Sequence, residues 1–185
     1  MAVEAGDFKT GLTLLIDGDP WVVVDFMHVK PGKGAAFLNT KMKNLRNGKT
    51  LEKNYNASTR FEAAEIIKKK ASYTYEAGGI YYFMDVDTYE TYELNEEQIG
   101  FNKYFILEGA EVMLVFFQGE VLNIALPDKV ELIIAETSPA IKGESTASKD
   151  AVTNTGLKIR VPLFIEEGEK VIVMTADGTY SGRAK

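Results

Sequence analysis

The chain is expected to be all-β: three small barrels, an SH3-like one followed by two OB-type ones. Three observations predict this. Short apolar runs recur along its 185 residues, each closed by a turn signal such as Asp17-Gly18, Asn47-Gly48, Gly78-Gly79, Gln118-Gly119 or Asp177-Gly178. The pattern restarts near Phe61–Glu65 and again at Leu126-Pro127-Asp128, giving domains over 1–64, 65–127 and 128–185. Glu108–Gly119 also resembles Glu167–Gly178 at a constant offset of 59, as leading turn, apolar strand and closing Gly turn. Chance likeness of two hairpins is the plain alternative, but the matched spacing favours duplication of one barrel.

The elements follow in order. Gly11–Ile16 and Trp21–Val29 flank the turn cluster Asp17-Gly18-Asp19-Pro20 and read as a hairpin. Phe37–Leu45 and Thr50–Asn56 flank Asn47-Gly48, which predicts a type I′ turn. Ala71–Tyr75 and Ile80–Val86 flank Gly78-Gly79, and Glu96–Ile99 has room for one helical turn. Val112–Phe117 and Val121–Leu126 flank Gln118-Gly119. Val130–Ala135 opens the last unit, and a polar loop is expected from Pro139 to Lys149. Leu157–Val161, Val171–Thr175 and Thr179–Arg183 complete it. The connections are short, so a fixed or semi-rigid relation between barrels is expected.

Composition excludes several function classes. No cysteine is present, so disulfides, thiolate metal sites and thiol catalysis are absent. The single histidine, His28, has no second His or Cys to work with. The carboxylate pairs Asp85/Asp87 and Glu96/Glu97 lack a cation-loop spacing and read as a solvated acidic face. No phosphate loop, nucleophile elbow or dinucleotide fingerprint occurs. No enzyme activity, catalytic residue, metal or cofactor is expected. The first seven residues carry no signal-peptide pattern and no run reaches the ~20 apolar residues a bilayer span needs, so the expected compartment is the cytoplasm, without membrane association.

Net charge is −6, unevenly spread. Residues 1–64 sum to +2, 65–127 to −7 and 128–185 to −1. The cations of the first third cluster at Lys30, Lys33, Lys41, Lys43, Arg46, Lys49 and Lys53. Such a chain can set its basic end on RNA while the acidic middle faces water or a basic protein. Tyr73, Tyr75, Tyr81, Tyr82, Phe83, Tyr89 and Tyr92 lie in the acidic third, where a base-stacking groove would lack positive potential, so they read as packing.

The most specific local feature is Lys30-Pro31-Gly32-Lys33-Gly34-Ala35-Ala36, set between two β-like runs. Pro31 fixes its own φ, and Gly32 and Gly34 permit positive φ. Lys33 stands between two residues without side chains, so nothing local covers its ammonium and it projects as a mobile point charge.

With these residues the chain resembles the bacterial elongation factor P family. The resemblance spans Asp7–Leu12 to Ser181–Arg183, and two stretches carry it: His28–Phe37, which is similar to that family's modified-lysine loop, and the gapless Lys149–Gly168 of its third domain. It implies a KOW/SH3-like barrel and two OB folds in an L shape, and a monomer. It also implies binding of the ribosome between the P and E sites and relief of stalling at consecutive prolines. Lys33 would be the effector, reaching the acceptor end of the P-site tRNA. Lys30, Pro31, Gly32 and Gly34 would shape the loop and contact that end. A Lys33-modifying enzyme would be a further partner, adding β-lysine, an aminopentanol group or nothing. The Lys33–Phe37 form resembles members from Gram-positive bacteria and favours aminopentanol. Gly143, Glu144, Ser145 and Lys149 fall where the family faces the small subunit, although many members carry Gly-Asp-Thr where this chain has Gly143-Glu144-Ser145. Two alternatives stand: an elongation-factor-P-like paralogue, and a general binder of single-stranded nucleic acid. The second would bind free oligonucleotide tightly, with steep salt dependence.

Overall fold

The computed structural model describes residues 1–142 and 147–185. The chain packs as two compact units, residues 1–69 with 114–123, and residues 70–113 with 124–185.

The first sheet comprises β1 (Ala2–Glu4), β2 (Thr13–Ile16), β3 (Asp19–Val29), β4 (Phe37–Asn44), β5 (Thr50–Asn56) and β6 (Arg60–Ala63), ordered β1-β6-β2-β3-β4-β5. Period-two patterning builds it. Along β4, Leu38, Thr40, Met42 and Asn44 are buried while Asn39, Lys41 and Lys43 are exposed. Leu38 and Met42 join Ala5, Phe8, Leu14 and Val23 in a core without solvent access beyond a trace at Phe8. The β2–β3 turn is Asp17 and Gly18, with φ of 52° and 83°, the pair of positive values a type I′ turn requires. Asp19 and Pro20 therefore belong to β3 rather than to the turn.

The β4–β5 connection departs from the type I′ turn expected at Asn47-Gly48. Only Gly48 has positive φ (75°), and the loop holds five residues, Leu45 to Lys49. Gly48 N donates to Asn44 O at 2.8 Å, and the Asn44 carboxamide oxygen accepts from Arg46 N and Asn47 N at 2.7 and 3.2 Å. The Asn44 side chain thus stands in for the missing ladder partner, and the longer loop becomes the stable solution.

The second sheet runs β11-β10-β7-β8-β9, from β7 (Ile66–Ala77), β8 (Ile80–Asp85), β9 (Thr91–Asn95), β10 (Glu111–Phe117) and β11 (Glu120–Ala125). Gly78-Gly79 and Gln118-Gly119 both form two-residue turns with both φ positive, as expected. The predicted helical turn is α1 (Glu96–Ile99). It is closed by a capping box in which Asn95 accepts from Gln98 N at 2.8 Å and Gln98 accepts from Asn95 N at 3.0 Å. A 3₁₀ segment, Gly100–Phe105, follows it.

The third sheet runs β14-β13-β12-β15-β16, from β12 (Lys129–Thr137), β13 (Ser148–Thr153), β14 (Lys158–Pro162), β15 (Lys170–Met174) and β16 (Tyr180–Arg183). Numbered within each sheet, the second and third have the same strand order, 3-2-1-4-5. The residues at offset 59 occupy equivalent strands, and their leading glycines match, with φ of 88° at Gly109 and 87° at Gly168. Their ends differ. β10 has seven residues before a two-residue turn ending in Gly119, whereas β15 has five before the five-residue loop Thr175 to Thr179, whose fourth residue is Gly178. A longer strand with a shorter turn preserves the offset.

Phe105 belongs to the core of this last sheet, with Leu132, Ile134, Val161, Ile165, Val171 and Val173. Phe101 packs edge-on against Tyr104 and Phe105 at ring separations of 5.6 and 5.2 Å. A Cβ at Gly178 would lie 2.8 Å from the Phe101 ring. Thr155 Oγ1 donates to Tyr104 O at 2.6 Å.

Candidate functional site

β3 and β4 pair from Trp21↔Asn44 to Val29↔Phe37, with one register shift between Val23 and Asp25. Beyond Val29 and Phe37 the chain leaves the ladder for Lys30 to Ala36. β5 follows to the same end, through Phe37↔Asn56. Ala57 N donates to Ala36 O at 3.0 Å, so the downstream root of the loop is held. Residues 30–35 are exposed. Among the described residues, neither the Lys30 nor the Lys33 ammonium has a hydrogen bond or ion pair within the chain. The loop presents two free cations at the end of a three-stranded, core-backed arm.

The two glycines differ. Gly34 has φ of 101°, which a residue with a Cβ rarely adopts, whereas Gly32 does not lie in the positive region and has open space around its Cα. Only Gly34 uses the freedom that the sequence offered at both. His28, two residues upstream of Lys30, is exposed and meets Phe26 edge-on at 5.7 Å.

The other cations of the first third are not equivalent. Lys41 lies across from Glu52 and Asp25, and Lys53 sits 5.4 Å over the Tyr55 ring. Arg46 is engaged within the chain, which the charge count does not show. Its Nε donates to Asp19 Oδ1 at 2.9 Å and its Nη1 to Glu120 Oε2 at 2.8 Å. Asn44 Nδ2 donates to the second Asp19 oxygen at 3.1 Å. The Asn44 and Arg46 hydrogen bonds hold the Asp19 carboxyl below the usual carboxylate range. Bonds to Glu120 and Asp19 raise the Arg46 guanidinium further above its ordinary value. The sequence hid this partner because Glu120 lies 74 residues away and nothing local marks the pair.

In the third sheet, Lys149 stands inside β13 and not in the expected Pro139–Lys149 loop. It is 8% exposed. Its ammonium donates to Ser138 O, Pro139 O and Ile165 O at 2.5, 3.3 and 2.6 Å. All three donors are taken by backbone carbonyls, so Lys149 fastens the start of this segment and has no donor left for an outside phosphate. Gly143, Glu144 and Ser145 lie outside the described residues.

The aromatic run divides. Tyr73 and Phe83 are buried 5.4 Å apart and are packing residues as expected. Tyr75 and Tyr89 are 48% and 73% exposed, and Tyr75 stacks on Tyr82 at 4.4 Å, so part of that run is surface. Among the described residues, no group of three or more His, Asp or Glu is placed to hold a metal ion. No helix among them is long and apolar enough to cross a membrane.

Three family models match the chain in order. They describe the elongation factor P KOW-like domain (residues 4–61), the elongation factor P OB domain (66–124) and the elongation factor P C-terminal domain (130–183). The chain belongs to the elongation factor P family. Its sheets are accordingly a KOW-like barrel and two OB-type barrels, and its class is that of a cofactor-free translation factor. Among solved structures, it is similar to a eukaryotic translation initiation factor 5A from Methanococcus jannaschii. The identity is 28% and the TM-score 0.49, over 67% of this chain and 95% of that one. A translation initiation factor 5A family protein from Naegleria fowleri matches at 20% identity and a TM-score of 0.49, over 68% and 96%.

Proposed function

We propose that this elongation factor P family member binds the ribosome between the P and E sites and promotes peptide-bond formation at consecutive prolines. One observation carries the reading: an exposed loop at the end of a core-backed arm holds Lys33, whose ammonium has no partner among the described residues. Proline's fixed φ restricts the geometry a nascent chain can offer the incoming amine. A factor that holds the acceptor end of the P-site tRNA in a reactive arrangement removes that entropic barrier without a covalent step. Lys33 is the effector. Lys30, Pro31, Gly32 and Gly34 set the loop and contact the tRNA. The factor acts in the cytoplasm as a monomer and is not itself an enzyme.

Exposure of Lys33 on a loop also suits a modifying enzyme that must enclose the side chain. Lengthening the side chain would extend the reach of the tip without altering the barrel. Gly143, Glu144 and Ser145 contact the small subunit, and Lys149 contributes by tying Ser138, Pro139 and Ile165 together.

A polyproline reporter in a reconstituted translation system tests this. The full chain from its native host should restore synthesis, and the Lys33→Ala chain should not. Equal rescue by the two would remove the effector role. Submicromolar binding to an arbitrary single-stranded oligonucleotide at physiological salt would favour the general strand binder instead.

A further inference from the structure

We infer that Arg46 is a positioning residue: it clamps the base of the Lys33-bearing arm to Glu120 on the β10–β11 hairpin and so sets where the tip points. The inference rests on the function proposed above for its consequence, and on geometry for its existence.

β4 joins the tip to the clamp. Its first residue, Phe37, borders the loop, and its last, Asn44, borders the turn that holds Arg46. Eight residues at strand rise make an arm of about 27 Å. A pivot of only about 10° at its base would move its end by about 5 Å over that length. Displacements near 1 Å in a reacting arrangement already cost about 100-fold. Whatever holds the base therefore governs the tip, although it lies far from it.

The guanidinium is arranged for two tasks at once. Nε is fixed on Asp19, at the start of β3, while Nη1 reaches Glu120, the first residue of β11. Asp19 is itself held by Asn44 Nδ2, and Leu45 N donates to Pro20 O at 2.9 Å. Thus Asp19, Asn44 and the backbone orient Arg46, leaving its other edge for Glu120. A planar fork can serve two carboxylates in fixed directions, which a lysine cannot. The Arg46 side chain is 37% exposed and that of Glu120 58%. Such a pair adds little to unfolding stability. Its effect is on orientation, and that separates it from a structural contact.

The absence of cysteine allows site-specific spin labels without background. Labels at Ala35→Cys, in the exposed loop, and at Lys68→Cys, on exposed β7, leave Lys33 and the clamp intact. The distance distribution between them is read by pulsed electron resonance in the full chain. Glu120→Lys sets two cations against each other and should at least double the width of the distribution, with the thermal midpoint nearly unchanged. Glu120→Gln keeps an acceptor opposite Nη1 and should leave the width near that of the parent. Width unchanged in Glu120→Lys, or as broad in Glu120→Gln, overturns the clamp. Unlabelled, Glu120→Lys should lose on the order of 100-fold in polyproline rescue, the scale of a displaced reacting group, and Glu120→Gln should keep most of it. If the distances respond but wild type gives no rescue, the functional reading fails and the clamp stands. If wild type rescues and Glu120→Lys rescues equally despite a widened distribution, tip direction does not matter and the positioning role is overturned.

Discussion

Lys33 and Lys149 are the same side chain in opposite circumstances. Lys33 sits on an exposed loop with no partner among the described residues, and Lys149 is buried with each donor on a carbonyl. An ammonium that has replaced its water with protein oxygens has nothing left for a ligand. One that keeps its water can exchange it for a phosphate or a carbonyl elsewhere. The positions of cations in a sequence therefore say little about function until their donors are accounted for. Arg46 lies between the two: Nε and Nη1 are committed to carboxylates, and the side chain remains partly exposed.

The largest effect should come from Lys33→Ala. Rescue of a polyproline reporter should vanish, while thermal stability stays within about 0.5 kcal/mol, since the side chain buries nothing. A large loss of stability would mean that Lys33 has hidden partners, and the contrast with Lys149 would fail.

Lys149→Met should invert that result. Methionine replaces the stem but leaves three carbonyls without their donor, and unsatisfied buried groups cost about 1–3 kcal/mol each at most. A net loss of roughly 2–4 kcal/mol is expected after relaxation and water entry. Hydrogen exchange at Val161 and Ile165 should report it. Parent-like protection there would show that the ammonium is dispensable.

A smaller contrast separates the loop glycines. Gly34→Val must bear a positive φ and should cost roughly 1–2 kcal/mol of local order, with a clear fall in rescue. Gly32→Val meets no atom within 4 Å and has no positive φ to sustain, so it should be much milder. Equal effects would mean that the loop changes shape when it works.

The smallest effect concerns pH. The folded carboxyl of Asp19 is held below its ordinary value, so its contribution is present above the unfolded value of about 3.9 and is lost as pH falls through the folded one. The difference in thermal midpoint between the parent and Asp19→Asn should be flat from neutrality to about pH 5 and shrink below about pH 4. A difference that persists unchanged in acid would show that Asn44 and Arg46 do not depend on the charge.

Most strands were legible because apolar runs and Gly turns set a grammar that the backbone must obey. The offset of 59 foretold two sheets of one strand order. The strands β1, β6, β9 and β13 were not read: the first two are too short to carry a period, and the other two are rich in polar residues. Asn47-Gly48 misled because a dipeptide does not reveal that Asn44 will cap a longer loop. In the loop, the exposure of Lys33 and the left-handed φ of Gly34 were readable from local chemistry. The commitments of Arg46 and Lys149 were not, because their acceptors are remote carboxylates in one case and anonymous carbonyls in the other.

Gly119 and Gly178 close the two related hairpins at corresponding positions. Both have positive φ, 80° and 74°. Around Gly119 a Cβ would meet nothing within 4 Å, whereas at Gly178 it would meet the Phe101 ring at 2.8 Å. If one barrel was copied from another, the copies did not inherit equal liberty. An asparagine, tolerant of left-handed backbone, is an open path for mutation at 119. At 178 the same change would require the Phe101 ring to move aside.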